Sequence, residues 1–246
     1  MADKDNTKKL YDKFAKEYHS KRLDVKESLW NRFIEIPAMT KLVKPVVKDK
    51  NVLDLGCGSG IFTKSIKSWG ANVKGCDISK NLILIAKKEN PKIPFRVCDA
   101  QKTPFKNSEF DVVTSGLMLH YLKDLKPVFS EVSRITKKDG IFIFSLNHPI
   151  GECTKKKIID NQTFHVMDPY FNNDKFEWTM LDGMKLTNYH HTFENIINTL
   201  NDCGFVVEGI IEAKPLKEFK RYNPKKYDKL CKYPSFIVFK AHKINN

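Results

Sequence analysis

The chain has 246 residues, 41% hydrophobic and 29% charged, proportions of an ordinary globular protein that exclude wholesale disorder and fibrous repeats. No run approaching about 18 apolar residues occurs and the opening MADKDNTKKL is polar, so no membrane span or secretory leader is expected and a cytoplasmic location is read. The net charge of +14 rests on 43 basic residues of which only five are Arg (Arg22, Arg32, Arg96, Arg134 and Arg221), and so Lys-rich an excess reads as solvated surface before it reads as a nucleic-acid site.

The first 45 residues read as helices. Leu10, Phe14 and Tyr18 recur every four positions and so share one helical face. A second helical stretch runs from about 28 to 43, with Pro37 expected to interrupt it. The period then changes. Asn51-Val-Leu-Asp-Leu-Gly56 is a short apolar run ending in glycine, the signature of a buried parallel strand entering a turn. Further strands are expected at 72–76, 95–98, 110–115 and 141–146, with helices at 61–69, 80–90 and 124–136 between them. In the last helix Leu125, Val128, Phe129, Val132 and Ile135 form one apolar stripe, which Asp139-Gly140 would terminate. Such alternation predicts a parallel, doubly wound α/β sheet. It pauses over 147–188, a segment rich in aromatics and Asp/Asn without clear period, read as a lid inserted after strand five. A helix at 192–202 and two last strands, 205–212 and 235–242, would complete a seven-stranded sheet in one domain spanning 1–246. Six scattered cysteines without a C-x-x-C pair are expected to be small buried apolar residues, with no disulfide scaffold and no metal site.

The sharpest motif is Asp54-Leu-Gly56-Cys-Gly58-Ser-Gly60, after a strand and before a helix. Glycines there admit close approach of a ligand to the backbone. Ile61 breaks the G-x-G-x-x-G dinucleotide pattern, and the Gly-Lys-Ser/Thr of a P-loop is missing. An acidic residue followed by G-x-G-x-G suits a ligand carrying an adenosine and an amino acid. Asp77 ends the second strand about 20 residues on, the spacing at which a carboxylate accepts from ribose hydroxyls. Asp99 ends the third and is placed to accept from an adenine amino group. Three carboxylates at the C-terminal ends of successive strands mark the edge where open α/β sheets bind ligands.

On these residues the chain resembles the class I S-adenosylmethionine-dependent methyltransferases, and among them the small-molecule type 11 group. LDLGCGSG matches the first motif, GCDIS the second, CDA the third and FDVVTSGLMLHYL the segment after strand four; YDKFAKEY resembles the group's lid helix. The resemblance implies a Rossmann-like fold with a helical N-terminal lid over 1–45 and a substrate lid at 147–188. It implies S-adenosylmethionine as cofactor, with Gly56, Gly58 and Gly60 along the methionine moiety and Asp54 holding the loop. Asp77 would bind the ribose diol and Ile78 would pack on the adenine. Asp99 and Ala100 would read the adenine edge, Ser115 would sit under the sulfonium, and Tyr18 would close over the cofactor.

For the acceptor, the sequence offers His120 and His148 as bases near the cofactor edge, each with a hydrogen-bonded structural role as its alternative. His190 and His191 would open a helix, while His19 and His165 are read as surface. Thr114-Ser115-Gly116-Leu117 replaces the Asn/Asp-Pro-Pro-aromatic tetrad of base and glutamine amino-methylation, and no Pro-Cys pair exists for pyrimidine carbon methylation. The aromatics Phe164, Tyr170, Phe171, Phe176 and Trp178 would wall a small-molecule pocket. Residues 214–233 carry eight basic against two acidic residues, interleaved with aromatics, as a single-stranded RNA site would be and as a Lys-rich loop beside a lid would be. The resulting expectation is methyl transfer to oxygen or nitrogen of a small molecule by a monomer or homodimer. The alternatives are a tRNA-modifying enzyme and a cofactor-binding protein that has lost catalysis.

Overall fold

The structure, a computed structural model, describes residues 2–160, 162–171 and 175–244. Two helices, α1 (Ala2–Lys13) and α2 (Ala15–Leu23), precede a π-helical turn, Asn31–Glu35, that runs straight into α3 (Ile36–Val43). Pro37 does not interrupt this stretch. It sits in the first turn of α3, where a missing N–H is tolerated. The turn before it widens, the Ile36 N–H reaching back five residues to the Asn31 carbonyl. The Phe33 carbonyl, which Pro37 cannot serve, accepts instead from the Leu216 N–H at 2.9 Å.

The alternation that follows is β1 (Asn51–Leu55), α4 (Ile61–Ser68), β2 (Asn72–Asp77), α5 (Lys80–Glu89), β3 (Phe95–Val97) and β4 (Phe110–Gly116). After a 3-10 turn at Leu119–Tyr121 come α6 (Lys126–Ile135) and β5 (Thr136–Asn147). β5 begins earlier than the sequence suggests, because Asp139-Gly140 lies inside it, where the pairing with β4 shifts between Phe110↔Thr136 and Val112↔Ile141.

The region read as an aperiodic lid has regular structure: a short helix α7 (Pro149–Cys153), a hairpin of β6 (Thr154–Ile159) and β7 (Gln162–Met167), and a hairpin of β8 (Lys175–Leu181) and β9 (Met184–Tyr189). β6 is exposed along most of its length and lacks the alternation that marks a half-buried strand. The chain ends with α8 (Phe193–Asp202), β10 (Phe205–Glu212), α9 (Phe219–Tyr222), α10 (Pro224–Leu230) and β11 (Phe236–Lys243).

Seven strands form one sheet in the order β3-β2-β1-β4-β5-β11-β10, parallel except for β11, which runs antiparallel to both neighbours. Both faces are covered, which is why the central strands read as near-continuous apolar runs. On one face Phe142 and Phe144 pack under Phe129, Val132, Ile196 and Leu200; on the other Val52, Val112 and Ile143 pack under Met39, Val43 and Ile66. Each such fully buried side chain contributes roughly 1.5–3 kcal/mol. The cysteine expectation holds for Cys153, which is buried, but Cys231 is exposed, Cys57 and Cys203 are only half-buried, and Cys76 and Cys98 are joined as a disulfide. The parallel pairing of β2 with β3 brings these residues, 22 apart in sequence, to one edge of the sheet.

Candidate active site

Gly56, Gly58 and Gly60 all adopt positive φ, at +74°, +54° and +79°, as the sharp exit from β1 demands. They are not equivalent. Gly56 lies against Met118, and a Cβ there would stand 2.7 Å from its Cγ. A Cβ on Gly58 would point into the gap below Tyr18, whose ring is 3.9 Å away. Gly60 faces the other way, a Cβ meeting Phe95 at 2.9 Å and Ala86 at 3.2 Å, so it seats the start of α4 and does not line the cavity.

The loop is held by two carboxylates. Asp54 accepts from the Thr63 hydroxyl at 2.5 Å and the Thr114 hydroxyl at 3.1 Å; burial nevertheless pushes its pKa up to about 6. Asp77 accepts from the Gly58 N–H at 2.8 Å and the Ser79 N–H at 2.9 Å, and burial raises its pKa against those two bonds. Asp99 accepts from the Gln101 N–H at 3.0 Å.

A cavity of about 880 Å³ opens beside this loop. One end is bordered by Gly56, Gly58, Asp77, Ile78, Asp99 and Ala100; the other by Glu35, His120, Phe176, Trp178 and Met180. The last three alternate along β8, a period-two signal present in the sequence. Of the remaining lid aromatics, Phe164 and Phe171 are exposed, and the Tyr170 hydroxyl accepts from the Phe193 N–H at 3.0 Å, away from the cavity.

The N-terminal helices roof the cavity. Tyr18 lines it, packing with Leu10, Tyr11 and Phe14 onto Tyr121, Leu181, Met184 and Leu186. The Ser79 hydroxyl and Asn81 N–H donate to the Asp12 carboxylate, and His19 Nδ1 is hydrogen-bonded to the Ser59 hydroxyl at 2.8 Å. Lys21 donates to the Met180 carbonyl at 2.7 Å. His19 is thus a strap on the glycine loop, contrary to its reading as surface. His165 is also engaged, stacked on Tyr233 with centroids 3.9 Å apart.

The two histidines proposed as bases part company. His120 borders the cavity, its Nδ1 buried without a hydrogen-bond partner; burial, aided by His191, pushes its pKa down to about 3. His148 does not reach the cavity. Its Nδ1 caps α7, accepting from the Ile150 and Gly151 N–H groups, while Nε2 pairs with Glu212 at 3.0 Å. Ser115 is likewise turned away, wholly buried with an unpartnered hydroxyl, since alternation along β4 presents Gly116 instead. His191 holds the Leu122 carbonyl at 2.9 Å, and His190 pairs with Glu152 at 3.0 Å.

Several lining residues escaped the sequence reading, Arg22, Glu152 and Glu35 among them. Arg22 follows Tyr18 by one helical turn, a spacing that carries the signal, and its Nη1 is buried without a partner. Glu152 has one carboxylate oxygen, Oε1, buried and unpartnered. Glu35 sits in the π-helical turn, which no pattern in the sequence announces. Among the described residues no group of three or more His, Cys, Asp or Glu side chains is arranged to hold a metal ion, and no helix is long and apolar enough to cross a membrane.

Residues 53–144, from β1 to within β5, match the model of the methyltransferase domain family. An uncharacterised protein of Methanocaldococcus jannaschii is 30% identical over 255 residues, covering 99% of this chain and 93% of its own. The crystal structure of an S-adenosylmethionine-dependent methyltransferase from Mesorhizobium loti superposes with a TM-score of 0.72 at 27% identity, covering 85% of this chain and 97% of that one. A Listeria monocytogenes structure assigned to the same enzymes gives 0.75 at 27% identity, covering 86% and 97%. The chain belongs to the class I S-adenosylmethionine-dependent methyltransferases, type 11 group. It is accordingly a methyltransferase with S-adenosylmethionine as its cofactor. The site fits that molecule in two respects: the open space over Gly58, which a side chain would fill, and Arg22, a cationic lining residue whose Nη1 is buried without a partner.

Proposed function

We propose that this methyltransferase acts on an oxygen or nitrogen of a small molecule held between the glycine loop and the β8–β9 hairpin. The observation that carries this reading is the continuous 880 Å³ cavity, within the roughly 300–1,000 Å³ of small-molecule sites, with one end polar at Asp77 and Asp99 and the other walled by Phe176, Trp178 and Met180. Bound S-adenosylmethionine supplies an electrophilic methyl on a sulfonium. Asp77 would accept from the ribose diol, Ile78 would pack on the adenine, and Asp99 with the Ala100 backbone would read its edge. Gly56 and Gly58 would let the main chain approach the methionine portion, Asp54 keeps their loop in shape, and Tyr18 would cover it.

The rest of the work is alignment and exclusion of water, which the roof of α1 and α2 performs. His120, neutral across the physiological range, serves as a hydrogen-bonding neighbour of the acceptor and is too weak a base to hold its proton. Of the aromatics of 214–233, Phe219 is buried beneath Trp30 and Phe33 and so cannot stack on RNA; Tyr222 lies on Phe33 but stays exposed, and Tyr233 stacks on His165.

Pure protein, methyl-labelled S-adenosylmethionine and a cell lysate, separated into RNA, protein and low-mass fractions, test the reading. Label in the low-mass fraction supports it. Label in ribonuclease-sensitive material overturns it and makes 214–233 the recognition surface.

A further inference from the structure

Two carboxyl groups lie deep beside the glycine loop, and only one of them is fully occupied. Asp54 has a hydroxyl on each oxygen. Glu35 is 5% exposed, borders the cavity, and takes a single hydrogen bond, from the Ser145 hydroxyl to Oε1 at 2.8 Å. Its position is fixed from three sides. The π-helical turn carries it inward, and such widened turns cluster at functional sites. Ser145, which also accepts from the Leu117 N–H at 3.0 Å, ties it to the ends of β4 and β5. Gly116 makes room for it, since a Cβ there would stand 3.1 Å from Oε1. The carboxyl thus overhangs the end of β4 at the wall of the cavity.

We propose that Glu35 is the general base of the transfer, a role that rests on the small-molecule reading above. As the acceptor's lone pair forms its bond to the methyl carbon, the electron pair of the broken carbon–sulfur bond stays on sulfur. The hydrogen of the acceptor O–H or N–H passes as a proton to Glu35. The carboxylic acid so formed returns that proton to solvent when product leaves. Burial raises the pKa of Glu35, as a base at neutral pH requires; the charged and titratable groups facing it are Arg22, which with the Ser145 hydroxyl lowers it, and Asp54 and the Tyr18 hydroxyl. Neither His120, neutral and weakly basic, nor His148, outside the cavity, competes for the task.

The test uses Glu35→Gln, which keeps the shape and an acceptor for Ser145, and Ser145→Ala. The infrared carboxyl band of the protein bound to S-adenosylhomocysteine, wild type minus E35Q, is expected to titrate above the ordinary carboxylate range. On whichever lysate fraction the wild type labels, E35Q is expected to lose turnover by about 100-fold or more while S-adenosylhomocysteine affinity stays within threefold. The wild-type rate is expected to fall as pH drops through that carboxyl's midpoint, and S145A to move the midpoint upward. E35Q turnover within threefold of wild type, or an equal loss of affinity, overturns the assignment. An E35Q defect on RNA would retain Glu35 and overturn only the small-molecule reading. A wild type that labels no fraction overturns both.

Discussion

Asp77→Asn separates the loop-shaping contacts of this carboxylate from the cofactor contact proposed for it. Asp77 accepts from Gly58 and Ser79, and a neutral amide can accept from only one of them while turning its own N–H groups toward the other. A hydrogen bond to a charged group is worth about 1.5–3 kcal/mol. The carboxylate's pKa is nevertheless raised, because burial, aided by the nearby Asp12 carboxylate, outweighs the backbone hydrogen bonds it accepts in the free protein. Removing the charge therefore relieves a desolvation cost as it loses a bond, and the free protein should lose no more than about 1 kcal/mol, or roughly 2–4 °C in Tm. The bound state has no such relief, because the ribose hydroxyls lose their charged acceptor. Titration calorimetry with S-adenosylhomocysteine should show Kd rising about 10- to 150-fold, equivalent to about 1.4–3 kcal/mol. Wild-type affinity should also weaken as pH falls through the raised pKa of Asp77, and the variant should be flat there. A Kd within threefold of wild type would remove Asp77 from the ribose site; a loss of many degrees in Tm with little change in affinity would make it a loop strut only.

Gly60→Ala combines a left-handed backbone with a Cβ 2.9 Å from the Phe95 ring and should destabilise by roughly 2–4 kcal/mol in chemical denaturation; unchanged stability would mean the turn is free to rebuild. His148→Ala should cost about 1–2 kcal/mol through the lost cap of α7, with turnover of the folded fraction within a few-fold of wild type. A selective fall in turnover would return His148 to the reaction. Asp54 binds its proton more tightly folded than unfolded, so its contribution to stability is lost as pH rises from about 4 to about 6, a loss of at most about 3 kcal/mol. Asp54→Asn should flatten that part of the difference profile; a variant with the wild-type slope refutes the assignment.

The sheet was legible because its signals are local and repeated. β1 announces itself as an apolar run, α6 by a stripe whose five members are all buried, and the glycine loop by its position between strand and helix. Asp77 and Asp99 follow from strand ends alone. The acceptor side was less legible because side chains distant in sequence build it. Glu35 reaches the cavity only because the turn before Pro37 widens, and the freed Phe33 carbonyl is satisfied by Leu216, far along the chain. His148 misled because a histidine at a strand's C-terminal edge looks the same in sequence whether it faces a ligand or caps the next helix. Phe176, Trp178 and Met180 did carry a period of two, but in an otherwise irregular stretch it passed unread.

The roof ties together parts of the site that are far apart in sequence. α1 is fastened at Ser79 and Asn81, beside Asp77, while α2 is fastened at Ser59 in the glycine loop and at Met180 in the β8–β9 hairpin. Tyr11 adds a bond to the Tyr121 hydroxyl at 2.9 Å, next to His120. The same two helices are therefore tied to the glycine loop, to the segment after Asp77 and to the β8–β9 hairpin around one cavity. Glu35 is already desolvated in the free protein, so the base role proposed for it needs no further burial.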